Sequence, residues 1–312
     1  MTTTGWEAGK RVSRGAWTAL GVALVLVVTL SSLTVGTSPL PRFPASQLPP
    51  PARIISLVPS VTEMLFAIGA GNLVVGVSNF DHYPPEVERR TRVGGLLDPD
   101  FERILTLRPD LVIVYGTQSG LLERLGRARI PVFNYQHAAL ADITQTLRQL
   151  GDRIGRRDAA AALAGDIERR IADIRRRTNG LKKPRTMIIF EREPGTLRGM
   201  YGSAGFGFLH DMLDAAGGID VFADVRRQSL QVTAEMALAR APDVIIEIYS
   251  GPGWNAERVR REPEVWQGLP SLPAVRSGRI YVLADEVMSI PGPRVPQAIL
   301  ALAKLLHPDV FR

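Results

Sequence analysis

Glu102-Arg103-Ile104-Leu105-Thr106-Leu107-Arg108-Pro109-Asp110-Leu111-Val112-Ile113 and Glu235-Met236-Ala237-Leu238-Ala239-Arg240-Ala241-Pro242-Asp243-Val244-Ile245-Ile246 are two copies of one pattern. Each reads Glu-x-x-Leu-x-x-x-Pro-Asp, followed by three branched apolar residues. The residue before a proline is biased away from the helical region. Each copy therefore predicts a short helix that stops there and a buried strand that follows. One α/β unit used twice, with helix between the copies, predicts two similar lobes with a cleft between them. In this reading the glutamate leads the helix, while the leucine, proline and apolar triplet serve the fold.

Around these copies, the composition is that of an ordinary globular protein, with 45% hydrophobic residues. The net charge of +7 raises the question of nucleic acid or an anionic surface. Its distribution argues otherwise. The arginines between Arg148 and Arg177 are interleaved with Asp152, Asp158, Asp166, Glu168 and Asp173, the mark of a solvated helix face. No nucleic-acid partner is expected. The sequence has no cysteine, which excludes disulfides, thiolate metal sites, cysteine nucleophiles and a lipid-modified cysteine.

Lys10, Arg11 and Arg14 precede a mostly apolar, uncharged run over 16–35. Positive charge followed by an apolar run is the export signature, and a run of about 20 residues can also span a bilayer. Residues 1–36 are expected to be a signal peptide or an N-terminal membrane anchor. Either places the rest of the chain in the periplasm or at the outer face of the cytoplasmic membrane. Residues 37–52, with prolines at 39, 41, 44, 49, 50 and 51, predict an extended, semi-stiff linker.

Residues 53–138 predict an N-terminal α/β lobe. Residues 53–58 read as a strand, and Ser60-Val61-Thr62-Glu63 as a capping box, with Ser60 as N-cap and Glu63 reaching back. Gly69 should stop that helix. Residues 73–77 predict a strand, and 78–86 a loop carrying Phe80, Asp81, His82 and Tyr83. Further strands are expected at 111–115 and 130–135.

Residues 139–183 predict connecting helices. Ile143, Leu147, Leu150 and Ile154 form one stripe, and Leu163, Ile167, Ile171 and Ile174 another. The second helix, over 158–178, is about 30 Å long at 1.5 Å per residue. Residues 184–312 predict a C-terminal α/β lobe. It contains a strand at 186–190, a glycine-rich loop at 199–207, a helix at 208–216, a strand at 280–283 and a last helix from about Pro296. The expected fold class is α/β: two Rossmann-like lobes with mainly parallel sheets, a long rigid connecting helix and a ligand cleft between the lobes.

Several of these segments occur together in a telling order. They are Ile54-Ile55-Ser56-Leu57-Val58-Pro59-Ser60-Val61-Thr62-Glu63, Val75-Gly76-Val77-Ser78 with Tyr83-Pro84-Pro85, both repeat copies, and Gly292-Pro293-Arg294. Over residues 53–312 the chain resembles the substrate-binding proteins of ABC importers with a helical backbone, which serve vitamin B12, iron-siderophores and haem. The resemblance implies a monomeric receptor with no cofactor of its own, which hands a small-molecule ligand to an ABC transporter permease dimer. The membrane would be met through the N-terminal segment. It implies permease docking through Glu102 and Glu235. Each also suits the first turn of a helix behind a cap, Asp100 or Thr233, where negative charge favours the helix dipole.

Cobalamin-binding members are the nearest in pattern, which implies a corrinoid ligand. The ligand-binding residues so implied are Tyr83 and Tyr115 at matching aromatic positions, Phe80 nearby, Phe206 in the glycine-rich loop, and Asp285. The chain departs from that pattern. Leu96 and Ser229 stand where those members have tryptophan, and Asp285 is offset by one residue.

Other ligands fit the same fold. A ferric siderophore or haem would draw on Arg192, Arg198, Arg226, Arg227 or Arg294. A bare metal ion would need His82, His137 and an acid such as Asp285 or Glu191 to converge. Enzymatic activity is not expected. Gly202-Ser203-Ala204-Gly205 lacks the spacing of a nucleophile elbow, and the sequence has no Walker A lysine motif.

Overall fold

The structure is a computed structural model that describes residues 49–136, 139–250 and 253–311. The expected export segment 1–36, residues 37–48 of the expected linker and His137 lie outside the described residues. Residues 49–52 of that linker lie on the folded body. Pro51 is buried, and the Ala52 N–H donates to Asp110 Oδ2 at 2.8 Å.

The N-terminal lobe runs β1 (Ile54–Ser56), α1 (Pro59–Ala67), β2 (Val74–Val77), β3 (Thr91–Arg92), α2 (Phe101–Thr106), β4 (Leu111–Tyr115), α3 (Ser119–Arg127) and β5 (Val132–Tyr135). All neighbouring strands pair parallel, in the order β3-β2-β1-β4-β5. Parallel sheets are covered on both faces, so their strands are apolar throughout. Ile54, Leu111 and Ile113 enter one core, while Ile55, Val112 and Val114 enter another. The strand order reverses between β1 and β4. The loops at the carboxyl ends of these strands therefore open the crevice where open α/β sheets hold ligands.

Two helices follow, α4 (Ala141–Ile154) and α5 (Arg157–Thr178). Gly155, at φ 71°, ends the first, a left-handed position that favours glycine. The predicted stripes hold. Ile143, Leu147, Leu150 and Ile154 are buried, as are Ile167 and Ile174, with Leu163 and Ile171 packed beside them.

The C-terminal lobe runs β6 (Arg185–Glu191), β7 (Met200–Ala204), α6 (Phe208–Ala215), β8 (Ile219–Asp220), β9 (Arg227–Val232), α7 (Ala234–Arg240), β10 (Val244–Ile248), α8 (Ala256–Arg261), α9 (Pro273–Arg276), β11 (Ile280–Leu283) and α10 (Val295–Leu306). Its sheet is mixed, in the order β11-β10-β6-β7-β9. β10 pairs parallel with β11 and β6, whereas β7 is antiparallel to both β6 and β9. The expected glycine-rich loop at 199–207 is thus largely a strand. A Cβ on Gly202 would stand 2.6 Å from the Ile188 carbonyl oxygen, so glycine there permits close approach of two strands.

One apolar core includes Ile54 and Ile113 of the first sheet and Leu147 and Ile167 of α4 and α5. It continues through Leu302 of α10 to Ile188 and Ile246 of the second sheet, and so passes from lobe to lobe.

The duplication extends from sequence to hydrogen bonds. Asp110 accepts the Arg53 N–H at 2.9 Å, and the Arg53 guanidinium donates back to the Leu107 carbonyl at 2.7 and 2.9 Å. In the other lobe Asp243 accepts the Arg185 N–H at 3.1 Å, and Arg185 donates to the Arg240 carbonyl at 2.6 Å. Each carboxylate holds the start of its lobe's first strand, and each arginine satisfies the end of a helix. Before each proline the chain turns left-handed, at Arg108 (φ 47°) and Ala241 (φ 45°).

Two expectations are corrected. The repeat's leucines are not core residues. Ile104 and Ala237 are fully buried, whereas Leu105 and Leu238 are exposed. The capping box does not form either. Val58 is the N-cap of α1, without a side-chain bond, and the Glu63 carboxylate is engaged elsewhere. A tertiary partner has taken the group that the local motif would have used.

Candidate functional site

That partner is Arg294, just before α10. Its guanidinium meets both carboxylate oxygens of Glu63, at 2.5 and 3.0 Å, and reaches Glu286 at 3.3 Å. It also lies over the Tyr83 ring, 3.9 Å from the centroid. One arginine of the second lobe, beyond the end of β11, thus touches both α1, which follows β1, and the loop after β2. Glu63 is 3% exposed, and burial pushes its carboxyl above the usual range, with Arg294 pulling it part of the way back.

On the N-terminal side, the loop after β2 is built around Asp81. Its carboxylate accepts the Ser78 N–H at 2.8 Å and the Ser78 hydroxyl at 2.5 Å, and its carbonyl accepts from Arg92 at 2.5 Å. Burial raises this carboxyl too. The pinned loop presents Phe80 and Tyr83, which are 62% and 41% exposed. The Phe80 ring lies against Gly95, where a Cβ would come within 2.7 Å of it. Tyr115, at the end of β4, stands edge-on to Tyr135 with centroids 5.7 Å apart. Its hydroxyl is pushed up to about 12 by burial and by the Asp81 carboxylate. The backbone N–H of Tyr115 donates to Gln118 Oε1 at 3.0 Å, and Gln118 Nε2 donates to the Leu96 carbonyl at 2.9 Å.

The C-terminal side carries a concavity of about 510 Å³. Phe206, Phe190, Phe208, Leu209, Ile248 and Tyr249 supply its apolar lining, while Gln228, Ser229, Ser250 and Ser289 supply neutral polar groups. Phe206 is 49% exposed. Tyr249 stacks on Trp254 at 3.9 Å, with Arg258 on that indole, also at 3.9 Å. A larger concavity of about 620 Å³ lies among Arg258, Arg261, Glu257, Glu262 and Glu264. Charged and partly paired within itself, it has no aromatic lining.

The structure therefore places Phe80, Tyr83 and Tyr115 on one lobe and Phe206 on the other. Asp285 does not line the aromatic concavity. It is exposed and accepts the Val287 N–H at 3.0 Å, capping the 3-10 turn Glu286–Met288. Phe190, Phe208 and Tyr249 were not anticipated. They stand at or just beyond the ends of elements whose apolar pattern reads simply as core.

The arginines offered for an anionic ligand divide. Arg192 is buried and bidentate on Glu247 at 2.9 and 3.0 Å, with Glu262 at 2.9 Å. Trp266 Nε1 completes this network by donating to Glu247 at 2.7 Å. Arg294 is engaged as described, and Arg198 pairs with Glu193 at 3.2 Å. Arg226 and Arg227 are exposed, at and beside the start of β9.

His82 lies 3.7 Å from Glu88, and His307 Nε2 lies 3.2 Å from the Gly217 carbonyl. Among the described residues no group of three His, Asp or Glu side chains is placed to hold a metal ion. None of the helices among the described residues is long and apolar enough to cross a membrane.

Glu102 and Glu235 lie in the first turns of α2 and α7, capped by Asp100 and Thr233 as expected. The Glu102 side chain is 84% exposed and stands 3.7 Å from Arg124. A hydrogen bond from the Thr233 hydroxyl holds the Glu235 carboxyl below its usual range.

The model of one protein family, described as periplasmic binding protein, matches residues 54–287. The vitamin B12-binding protein of Vibrio parahaemolyticus is 26% identical over 286 residues, covering 91% of this chain and 95% of that protein. Among solved structures, the periplasmic vitamin B12-binding protein of Vibrio cholerae superposes with a TM-score of 0.70 at 25% identity, covering 82% of this chain and 97% of that one. The periplasmic haem-binding protein of Roseiflexus sp. RS-1 gives 0.68 at 26% identity, covering 83% and 99%.

Proposed function

The chain belongs to the periplasmic binding protein family, and from that premise we propose that it is the extracytoplasmic receptor of an ABC importer, delivering a corrinoid to the permease. The lining of the cleft carries the reading. An aromatic concavity with neutral polar groups on one lobe and the rings of Tyr83 and Tyr115 on the other suit a broad, flat ligand with amide substituents. A ferric siderophore with several negative charges would draw on guanidinium groups; of the candidates, Arg192 and Arg294 are held by carboxylates, which leaves the exposed Arg226 and Arg227 beside the concavity to serve it.

Haem is the second reading. It is favoured by the likeness to a haem-binding protein and by the half-exposed Tyr83 phenol, an oxygen donor at the cleft. In either case the ligand lies between the lobes, and residues 1–36 export or tether the body. Glu102 and Glu235, one on each lobe, engage the permease. Titration calorimetry of the purified body with cyanocobalamin, a ferric siderophore and haem tests the assignment. Tight binding of cobalamin is expected. No heat with cobalamin beside tight binding of either rival would overturn the corrinoid assignment.

A further inference from the structure

Leu105 and Leu238 occupy the same position in the two repeat copies, and both are exposed, by 36% and 39%. A single exposed leucine is ordinary on a protein surface. Here the exposure recurs where sequence, helix, left-handed turn and strand all recur. In both helices the core is filled by the preceding residue, Ile104 or Ala237, each fully buried. Neither leucine is among the buried core residues of its lobe.

Each leucine follows its glutamate by three residues, which puts the two side chains on one face of the helix. The second glutamate and leucine therefore stand on their lobe as the first stand on theirs. A motif displayed twice on one chain fits a partner that offers the complementary site twice, as a two-fold permease does. An exposed ion pair by itself contributes little and is screened by salt. Apolar contact beside it excludes water and makes the same charge count for more.

We propose that Leu105 and Leu238 are apolar contact points for the permease, each seated beside its glutamate to form one of two equivalent docking epitopes. The inference rests on the docking role of Glu102 and Glu235. The complementary surface on the permease is a cation flanked by an apolar patch, presented once per subunit.

The test compares the full chain with its Leu105→Ala/Leu238→Ala and Glu102→Arg/Glu235→Arg variants. Binding to right-side-out membrane vesicles from cells that carry the importer is measured at low and high salt. The leucine variant is expected to bind about tenfold more weakly, as the loss of two partly buried apolar side chains implies. That deficit should persist at high salt, at a temperature well below the melting point of both proteins, with cyanocobalamin affinity unchanged. Wild-type binding by the leucine variant, beside lost binding by the glutamate variant, would overturn the proposal and leave the docking role of the glutamates standing. Wild-type binding by both would remove the docking role as well. Self-association of the wild-type chain that the leucine variant abolishes would assign these side chains to a second copy and overturn the permease assignment.

Discussion

Arg294 and Glu63, 231 residues apart in sequence, form a two-point ion pair that joins the two lobes. The Glu63 side chain is 3% exposed and that of Arg294 16%. Removing one partner from such a pair leaves a charge with little water around it, which costs more than the pair itself contributes. Arg294→Met should destabilise the protein by about 3 kcal/mol in urea denaturation at neutral pH.

The same variant should show a pH dependence of definite sign. The Glu63 carboxyl is already raised above 4.5 in the folded state, and Arg294 is one of the groups that lower it. Without Arg294 it rises further. A carboxyl raised by folding costs stability only when ionised, so the cost grows as pH rises above 4.5 through the folded value. The deficit of Arg294→Met relative to wild type should therefore shrink as the pH falls toward 4.5. Denaturation midpoints at a series of pH values check this, and a deficit that widens in acid would contradict it.

Phe206 should matter to the ligand and little to stability, because it is half-exposed and lines the aromatic concavity. Phe206→Ala is expected to weaken cyanocobalamin binding about tenfold, the scale of one lost aromatic contact, with the thermal midpoint unchanged. Calorimetry and a thermal melt decide the point.

Charge reversal at Glu102 and Glu235 should leave ligand affinity intact and abolish uptake. Both carboxylates are exposed, in helices whose buried faces they do not touch. Uptake of labelled cobalamin into vesicles supplied with the double variant is the measurement. Undiminished uptake would end the docking role.

Ala241 pays a steric cost for its left-handed conformation, at φ 45°. Glycine removes that cost, about 1–2 kcal/mol, and returns about half of it as lost chain entropy. Ala241→Gly should raise stability by about 0.5 kcal/mol in urea, and a loss would show that the methyl group is needed there.

Much of the scaffold was legible because its periodicity is strong. The strands 111–115 and 280–283, the helix stops at Gly69 and Gly155 and the stripe of α4 follow from side-chain pattern alone. The edge of the second sheet was not. β9 reads Arg-Gln-Ser-Leu-Gln-Val and is mostly exposed, so it carries almost no apolar signal. Its neighbour β7 is broken by Gly202, a residue that marks a turn as readily as a tight strand contact. The Ser60–Glu63 motif misled for a different reason. A local capping signal cannot report that an arginine 231 residues away will claim the glutamate. Of the aromatics, Tyr83 and Phe206 stand out in polar loops, whereas Phe190 and Tyr249, which line the concavity with Phe206, continue apolar strands and look like core until their ends are placed.

The apolar core that runs from Ile54 through α4, α5 and α10 to Ile246 has a thermodynamic consequence. Neither sheet can shed its inner face without exposing side chains of the other. Calorimetric heating should therefore give one endotherm for the whole body, with equal calorimetric and van't Hoff enthalpies, rather than one for each lobe. Ligand would shift that single peak upward intact, because binding to the folded state alone stabilises both sheets together.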